Sequence, residues 1–312
     1  MAVSAILKGV RLPRRTVRPR PMPARVRVSA LAWAVAVIAL VAVAASSLSG
    51  GTVGASALVT TGKAVAAEPA HPVETVRPLA DPASYRRAAP PPDGRPRVAV
   101  IVRGLGLSAR VTAAVIADLP PDITLALSAY GRDLQTDADA ARADGHEVFL
   151  DIPVEPQGYP ANDAGPQALL TSLSAAENAQ RLEWSIARFT GYPGLVFAAG
   201  SPALEDAATM APLFDKAGPG GLIWAHAGAK GFDGARVETA AAAVTLPAGA
   251  SPADADAAFE RLEALARKSG TALIIVSPAP ATLARLKIWT ASLEDKGLVL
   301  APASALAVAP AS

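Results

Sequence analysis

The chain has no cysteine, three histidines and few aromatic residues. Without Cys there are no disulfides, no thiolate zinc sites and no cysteine nucleophile. The histidines, His71, His146 and His226, are far apart, and no two have metal-ligand spacing. Aromatics make up 4% of a chain that is 51% hydrophobic, so its core must be built from Ala, Val and Leu. No Gly-x-Ser-x-Gly elbow and no P-loop occurs. The Gly104-Leu105-Gly106 stretch lacks the third glycine of a dinucleotide fingerprint.

Acidic residues are missing from one region. Residues 1–27 carry eight Lys/Arg and no Asp or Glu, and residues 28–96 carry five basic and four acidic residues. Residues 97–312 carry 16 basic and 23 acidic, a net of −7, so the overall charge of +2 misleads. A domain with that balance has no basic face for nucleic acid, and no nucleic-acid partner is expected. After the basic lead comes an unbroken apolar run, Ala30–Ala45, with no charge until Lys63. A stretch of that length, apolar on every side, predicts a transmembrane anchor over residues 28–49. A cleaved signal peptide, with "AVA" at Ala42–Ala44 as cleavage site, is the rival reading. The positive-inside rule then places residues 1–27 in the cytoplasm and the rest outside: a single-pass inner-membrane protein with a periplasmic C-terminal domain. Residues 50–96 are rich in Ala and Pro, without a sustained period, and read as a linker.

From Arg97 onward, short apolar runs alternate with helical segments. Strands are predicted at 98–102, 123–127, 147–152, 195–198, 222–225, 242–246, 273–276 and 298–300, and helices at 108–119, 133–144, 174–189, 202–217, 252–268 and 281–296. "SAAE" at Ser174–Glu177 is a capping box, and "SPAD" at Ser251–Asp254 places Pro at the first helical position. Seven or eight βα units over residues 97–309 predict one α/β domain, a barrel or a doubly wound sheet. In either case the strand ends face one crevice. They bring Arg103 and Gly104, Ser128 and Tyr130, Asp151 with Glu155, Ser201, His226 and Ser277 towards it.

The segments "VAVIVRGLGLS" (98–108), "ITLALSAY" (123–130), "ARADGHEVFLDIPVEPQGYPANDAGPQALLTSLSAAEN" (141–178), "GLVFAAGS" (194–201) and "VSPAPATLARL" (276–286) together resemble the divergent polysaccharide deacetylases, relatives of the metal-dependent carbohydrate esterases. The resemblance spans about residues 97–307 and implies a distorted (β/α) barrel of seven or eight strands and a link to carbohydrate. It also implies chemistry that this chain departs from. Where the family has Ile-Asp-Asp-x-Gly after its first strand, this chain has Val102-Arg103-Gly104-Leu105-Gly106. Where it has Leu-His-Leu-Pro-Met-Glu-Pro, the chain has Leu150-Asp151-Ile152-Pro153-Val154-Glu155-Pro156, and Ala198-Ala199-Gly200-Ser201 replaces a His-Met-Gly-Ser. The late Gly-His-Pro becomes Val276-Ser277-Pro278.

A metal-dependent deacetylase needs a metal to activate water, a carboxylate base and a histidine acid. An arginine in place of the carboxylate repels a divalent cation and cannot accept a proton. The leading expectation is therefore a pseudoenzyme with no catalytic residues, no metal and no cofactor. Its remnant cleft, with Arg103, Asp151, Glu155, Ser201, His226 and Ser277 as candidates, would bind a glycan or a peptidoglycan-associated protein. Arg103 would pair with Asp151, Glu155 or both. Two alternatives stay open: an active deacetylase with a metal site rebuilt from Asp151, Glu155 and His226, and a purely structural envelope protein. His146, Tyr159, Asn162 and Asp163 read as structural.

Overall fold

The computed structural model describes residues 81–218, 220–228 and 237–309. The predicted cytoplasmic lead, the anchor and the linker up to residue 80 lie outside these. Among the described residues no helix is long and apolar enough to cross a membrane.

The described residues form nine strands: β1 (Arg97–Leu105), β2 (Thr124–Ser128), β3 (Val148–Ile152), β4 (Gly194–Phe197), β5 (Ile223–His226), β6 (Thr239–Ala241), β7 (Val244–Leu246), β8 (Thr271–Val276) and β9 (Val299–Leu300). The helices between them are α1 (Ala109–Asp118), α2 (Leu134–Ala143), α3 (Ala175–Ile186), α4 (Ala207–Ala217), α5 (Pro252–Ser269) and α6 (Pro280–Ala291). The strand order is β6-β5-β4-β3-β2-β1-β8-β7, and each pairing along it is parallel. Its two ends, β6 and β7, are consecutive in the chain. Between them Ala242 N–H donates to the His226 carbonyl (2.7 Å) and Ala243 N–H to the Leu273 carbonyl (2.9 Å). Hydrogen bonding thus passes from β5 through residues 239–246 to β8, and the sheet curls round until its ends meet. This is the distorted (β/α) barrel that the family resemblance implies, one of the two architectures that the alternating pattern left open. The expected strand 242–246 is two short strands because one run of chain must serve both neighbours.

Strand alternation divides the apolar residues into two sets. One, with Val100, Leu125, Leu150, Leu195 and Trp224, packs under the helices. The other fills the barrel: Ala99, Ile101, Ala126, Phe149, Val196, Ile223, Ala225 and Ile275, nearly all fully buried. The inner set is mostly small, as the shortage of aromatics requires, with Phe149 as its bulky exception. The helix ends follow their predicted signals. Ser174 and Glu177 form a reciprocal capping box on α3, Ser251 and Asp254 form another on α5, and Gly270 closes α5 with φ 83°. The predicted helix 202–217 is broken into a 3₁₀ turn, Pro202–Leu204, and α4. Asp206 restarts the helix by accepting the Thr209 N–H at 2.7 Å.

Residues 81–96, which composition alone assigned to the linker, are folded against the domain. Arg87 donates from Nε to Asp122 (2.8 Å) and from Nη1 to the Gly145 carbonyl (2.6 Å), and Arg86 pairs with Glu238 at 2.9 Å. Polar anchoring of this kind leaves no hydrophobic period in the sequence. At the same end of the barrel the C-terminal 3₁₀ turn, Ala303–Leu306, closes the lumen. Ala303 belongs to the inner apolar set, and its N–H donates to Thr124 Oγ1 at 2.8 Å.

Candidate functional site

The site begins with an irregularity in β1. Its register against β8 is regular up to Val102, but against β2 the pairs Val102↔Leu125 and Leu105↔Leu127 set three steps against two. The extra residue makes a bulge at Arg103–Gly104, and Gly104 has φ 78°, in the left-handed region that suits glycine. Bulges re-aim side chains. Here the bulge falls just beyond Ile101, the last inner-facing apolar residue of β1, and Arg103 carries that inward alternation to the mouth of the barrel.

Across β2, Asp151 follows Phe149 with the same parity on β3. Arg103 Nη2 donates to Asp151 Oδ1 at 2.7 Å. The aspartate side chain is 5% exposed and the arginine 26%. Burial pushes the Asp151 carboxyl up from its ordinary value, while the charge and hydrogen bond of Arg103 and the Gly104 N–H pull it back. Arg103 Nε is buried without an acceptor, so the guanidinium engages Asp151 through Nη2 alone.

Glu155 does not join this pair. Its carboxylate accepts the Thr171 N–H (2.7 Å) and hydroxyl (2.8 Å), fastening the two ends of the 155–171 loop. Glu155 N–H also bonds the Leu169 carbonyl, and Leu169 N–H the Pro153 carbonyl. The half of the ion-pair expectation that rested on Glu155 is thus corrected: a nearer neutral partner holds it. Ser201 stands before the 3₁₀ turn Pro202–Leu204, 2% exposed, and its Oγ has no hydrogen-bond partner among the described residues. Ser277 has the inner parity of Ile275, is half-buried, and donates its N–H to the Leu246 carbonyl. His226 is 7% exposed, and alternation assigns it to the outward face of Trp224, which stacks on Phe214 at 5.1 Å, while Ala225 and Ala227 take the inner face. It therefore stands apart from Asp151. The sequence order of strand ends hid this, because parity depends on which residue of each strand comes last.

Asn162 and Asp163 fix turns in their loop as expected, while the Tyr159 side chain is exposed. Asn162 donates to the Gln157 carbonyl, and Asp163 accepts the Gly165 N–H in an Asx-type turn. His146 is structural: its ring nitrogens lie 2.9 Å and 3.1 Å from the Ile123 and Ile116 carbonyl oxygens. Two features escaped the sequence reading. Gln157 packs so closely on Gly200 that a Cβ there would meet its Nε2 at 2.7 Å. Arg188, a residue of the 186–190 turn, reaches back to the Ala129 and Gly131 carbonyls at the end of β2. Gln157 has no sequence signal beyond its place in a polar loop, and Arg188 falls inside the predicted helix 174–189, which ends instead at Ile186.

A divalent cation at this crevice would need three or more protein donors. Among the described residues no three His, Asp or Glu side chains gather in such a group. The one buried carboxylate at the strand ends already holds a guanidinium at 2.7 Å, where a cation would meet a fixed positive charge. The donor set does not fit a divalent metal, and no reaction step is drawn through one.

The family model for divergent polysaccharide deacetylases matches residues 100–307. The chain is similar to an uncharacterized protein of Agrobacterium tumefaciens C58, with 32% identity over 72% of this chain and 94% of that one and a TM-score of 0.67. A protein of Enterococcus faecalis V583 shares the fold at 11% identity, over 69% of this chain and all of that one, with a TM-score of 0.51. A family 4 carbohydrate esterase from Streptomyces lividans is more distant, with 15% identity over 69% of this chain and 98% of that one and a TM-score of 0.44. No curated protein matches the chain.

Proposed function

The chain belongs to the divergent polysaccharide deacetylase family, and from that premise we propose that it is a non-hydrolysing member, held at the inner membrane by its N-terminal segment, that binds glycan or a peptidoglycan-associated protein in the periplasm. The observation that carries the reading is the Arg103–Asp151 pair at the mouth of the barrel. Where the resemblance expects a carboxylate and a metal, a guanidinium stands on a buried aspartate. Such a pair cannot activate water as a metal does, since Arg stays charged and offers no open coordination position. It can hold hydroxyl or carbonyl oxygens, because only one of its five N–H groups is bonded to Asp151. The basic lead and the Ala30–Ala45 run support the membrane placement.

Four measurements on the protein test this. After exposure to zinc and dialysis it retains well under one metal per chain and releases no acetate from acetylated amino-sugar oligomers, while it co-sediments with purified peptidoglycan. A reporter active only outside the cytoplasm, fused after residue 312, works. Roughly one bound metal per chain, lost together with acetate release in Asp151→Ala, would overturn the non-hydrolysing reading in favour of a rebuilt metal site.

A further inference from the structure

We infer that the Arg103 crevice selects glycans whose sugars carry a carboxylate. This rests on the glycan-binding reading above and names the chemistry that the site prefers.

The argument starts from how little of Arg103 is used. Its guanidinium donates once, from Nη2 to one oxygen of Asp151, and a quarter of the side chain remains exposed. Among the described residues Nε is buried without a partner and only Nη2 is bonded, so a quarter-exposed guanidinium at the barrel mouth has donors to spare. An arginine held at one end and open at the other matches an incoming planar anion, and Arg–carboxylate bonds are about twice as strong as neutral ones. The described residues that flank Asp151 on its neighbouring strands are uncharged. At the level of Asp151 the flanking strands place Ser128 on β2 and Val196 on β4. Glu155, the nearest other acid in sequence, is bound to Thr171.

A second carboxylate on one guanidinium would crowd Asp151. Asp151 has a way out, because its burial already opposes its charge. It takes up a proton as the ligand binds, leaving the Arg103 charge to the ligand. Binding of an acidic sugar is therefore coupled to uptake of about one proton. Its affinity rises as pH falls from neutral, until the ligand's own carboxylate protonates. A neutral sugar has no such coupling.

N-acetylmuramic acid and N-acetylglucosamine form a matched pair that differs by one carboxylate-bearing lactyl group, and glucuronic acid and glucose form a second. Titration of the full-length protein in detergent, followed by calorimetry at about pH 5 and about pH 8, reads the difference. The acidic member of each pair binds roughly tenfold tighter than the neutral one, with the wider gap at the lower pH. Arg103→Gln closes the gap, because the acidic sugars lose the charge-assisted bond and weaken far more than the neutral ones. Asp151→Asn removes the competing carboxylate, so acidic sugars bind tighter still and without pH dependence. This second variant keeps the test sharp if Arg103→Gln fails to fold, since a purely structural ion pair predicts no gain from it. Equal binding of acidic and neutral sugars, unmoved by either variant, overturns the inference and leaves the glycan reading standing. If neither kind of sugar binds, and peptidoglycan does not co-sediment, the parent reading falls and this one with it.

Discussion

One strand carries a buried carboxylate at each end, and the two are held in opposite ways. Glu147, just before β3, is 1% exposed at the closed end of the barrel. It accepts from the Thr124 hydroxyl (3.0 Å) and the Ser304 N–H (3.2 Å) through Oε2, and from the Arg87 N–H (3.3 Å) through Oε1. None of these donors is charged, because the Arg87 guanidinium is turned to Asp122 and Gly145. Asp151, at the open end, is held by a guanidinium and one backbone N–H. Burial is the largest influence on both acids and pushes both up from their ordinary values. The closed end joins the N-terminal segment, β2 and the C-terminal turn through one acid. The open end has the Arg103–Asp151 charge pair and, among the described residues, leaves Arg103 Nε and Ser201 Oγ unbonded. A knot of neutral donors fixes structure. A half-used charge pair keeps capacity for a ligand.

Removing the structural acid breaks the comparison most severely. Glu147→Ala orphans two backbone N–H groups and a hydroxyl at the barrel's closed end. At about 1–3 kcal/mol for each buried donor left unmade, partly relieved by water, the loss is roughly 3–5 kcal/mol by chemical denaturation. Glu147→Gln keeps one acceptor oxygen and costs about 1–2 kcal/mol at neutral pH. The two also differ from wild type in pH dependence. A carboxyl raised above its unfolded value contributes stability that is complete below the unfolded value and is lost as pH rises through the folded one. Glu147→Gln therefore loses part of wild type's stability gain between neutral and acid pH. A variant profile parallel to wild type from about pH 4 upward would show that Glu147 shares its ionisation with solvent.

Arg103→Ala gives the next largest effect. It leaves Asp151 buried with only the Gly104 N–H, and breaking a well-buried pair costs about 3–5 kcal/mol. Arg103 is a quarter exposed and Asp151 can protonate, so the expected loss is nearer 2 kcal/mol at neutral pH. Without the guanidinium's charge and hydrogen bond the aspartate moves further up. The variant's deficit consequently shrinks as pH falls. Arg103→Asp crowds two acids together and has a larger deficit with a steeper recovery in acid. Melting temperatures of these variants equal to wild type at every pH would mean that Arg103 is solvated, and the pair would lose its place in the account of the crevice.

The alternating βα units were legible because their signals are local and repeated: the eight apolar runs fall on or beside strands and the capping boxes at Ser174 and Ser251 form, whereas closure into a barrel rather than an open sheet came from the family resemblance alone. Arg103 and Asp151 were legible as partners because both are the first polar residues beyond inner-facing apolar strand positions. What the sequence hid depends on geometry with no period. The bulge that ends the inward alternation of β1 at Arg103 and turns Leu105 to the outer core is a register slip between two strands. Parity assigns His226 to the face of Trp224, and nothing in the order of strand ends reveals that. Thr171 is sixteen positions from Glu155, and only the folded loop makes it the acid's partner. Arg86 and Arg87 dock a segment whose composition matches a linker.

Glu155 supplies the smallest expected effect and sharpens the contrast from the side of the crevice. Sequence groups it with Asp151 as a second carboxylate for Arg103, yet both bonds of its carboxylate go to Thr171. If it only fastens the loop, Glu155→Gln keeps an acceptor for the Thr171 hydroxyl and costs about 0.5 kcal/mol, the scale of an exposed hydrogen bond. Glu155→Ala frees both Thr171 groups to water and costs about 1 kcal/mol. Neither changes the pH profile attributed to Asp151, because neither alters a charge that Asp151 feels. The local consequence is larger than the global one: with the clasp gone, hydrogen exchange at the Thr171 amide speeds up, while the Leu169 amide, bonded to the Pro153 carbonyl, keeps its protection. A shift of the Asp151-linked profile in Glu155→Gln would instead place this carboxylate in the Arg103 cluster. The crevice would then hold two acids on one guanidinium, leaving no room there for an acidic sugar.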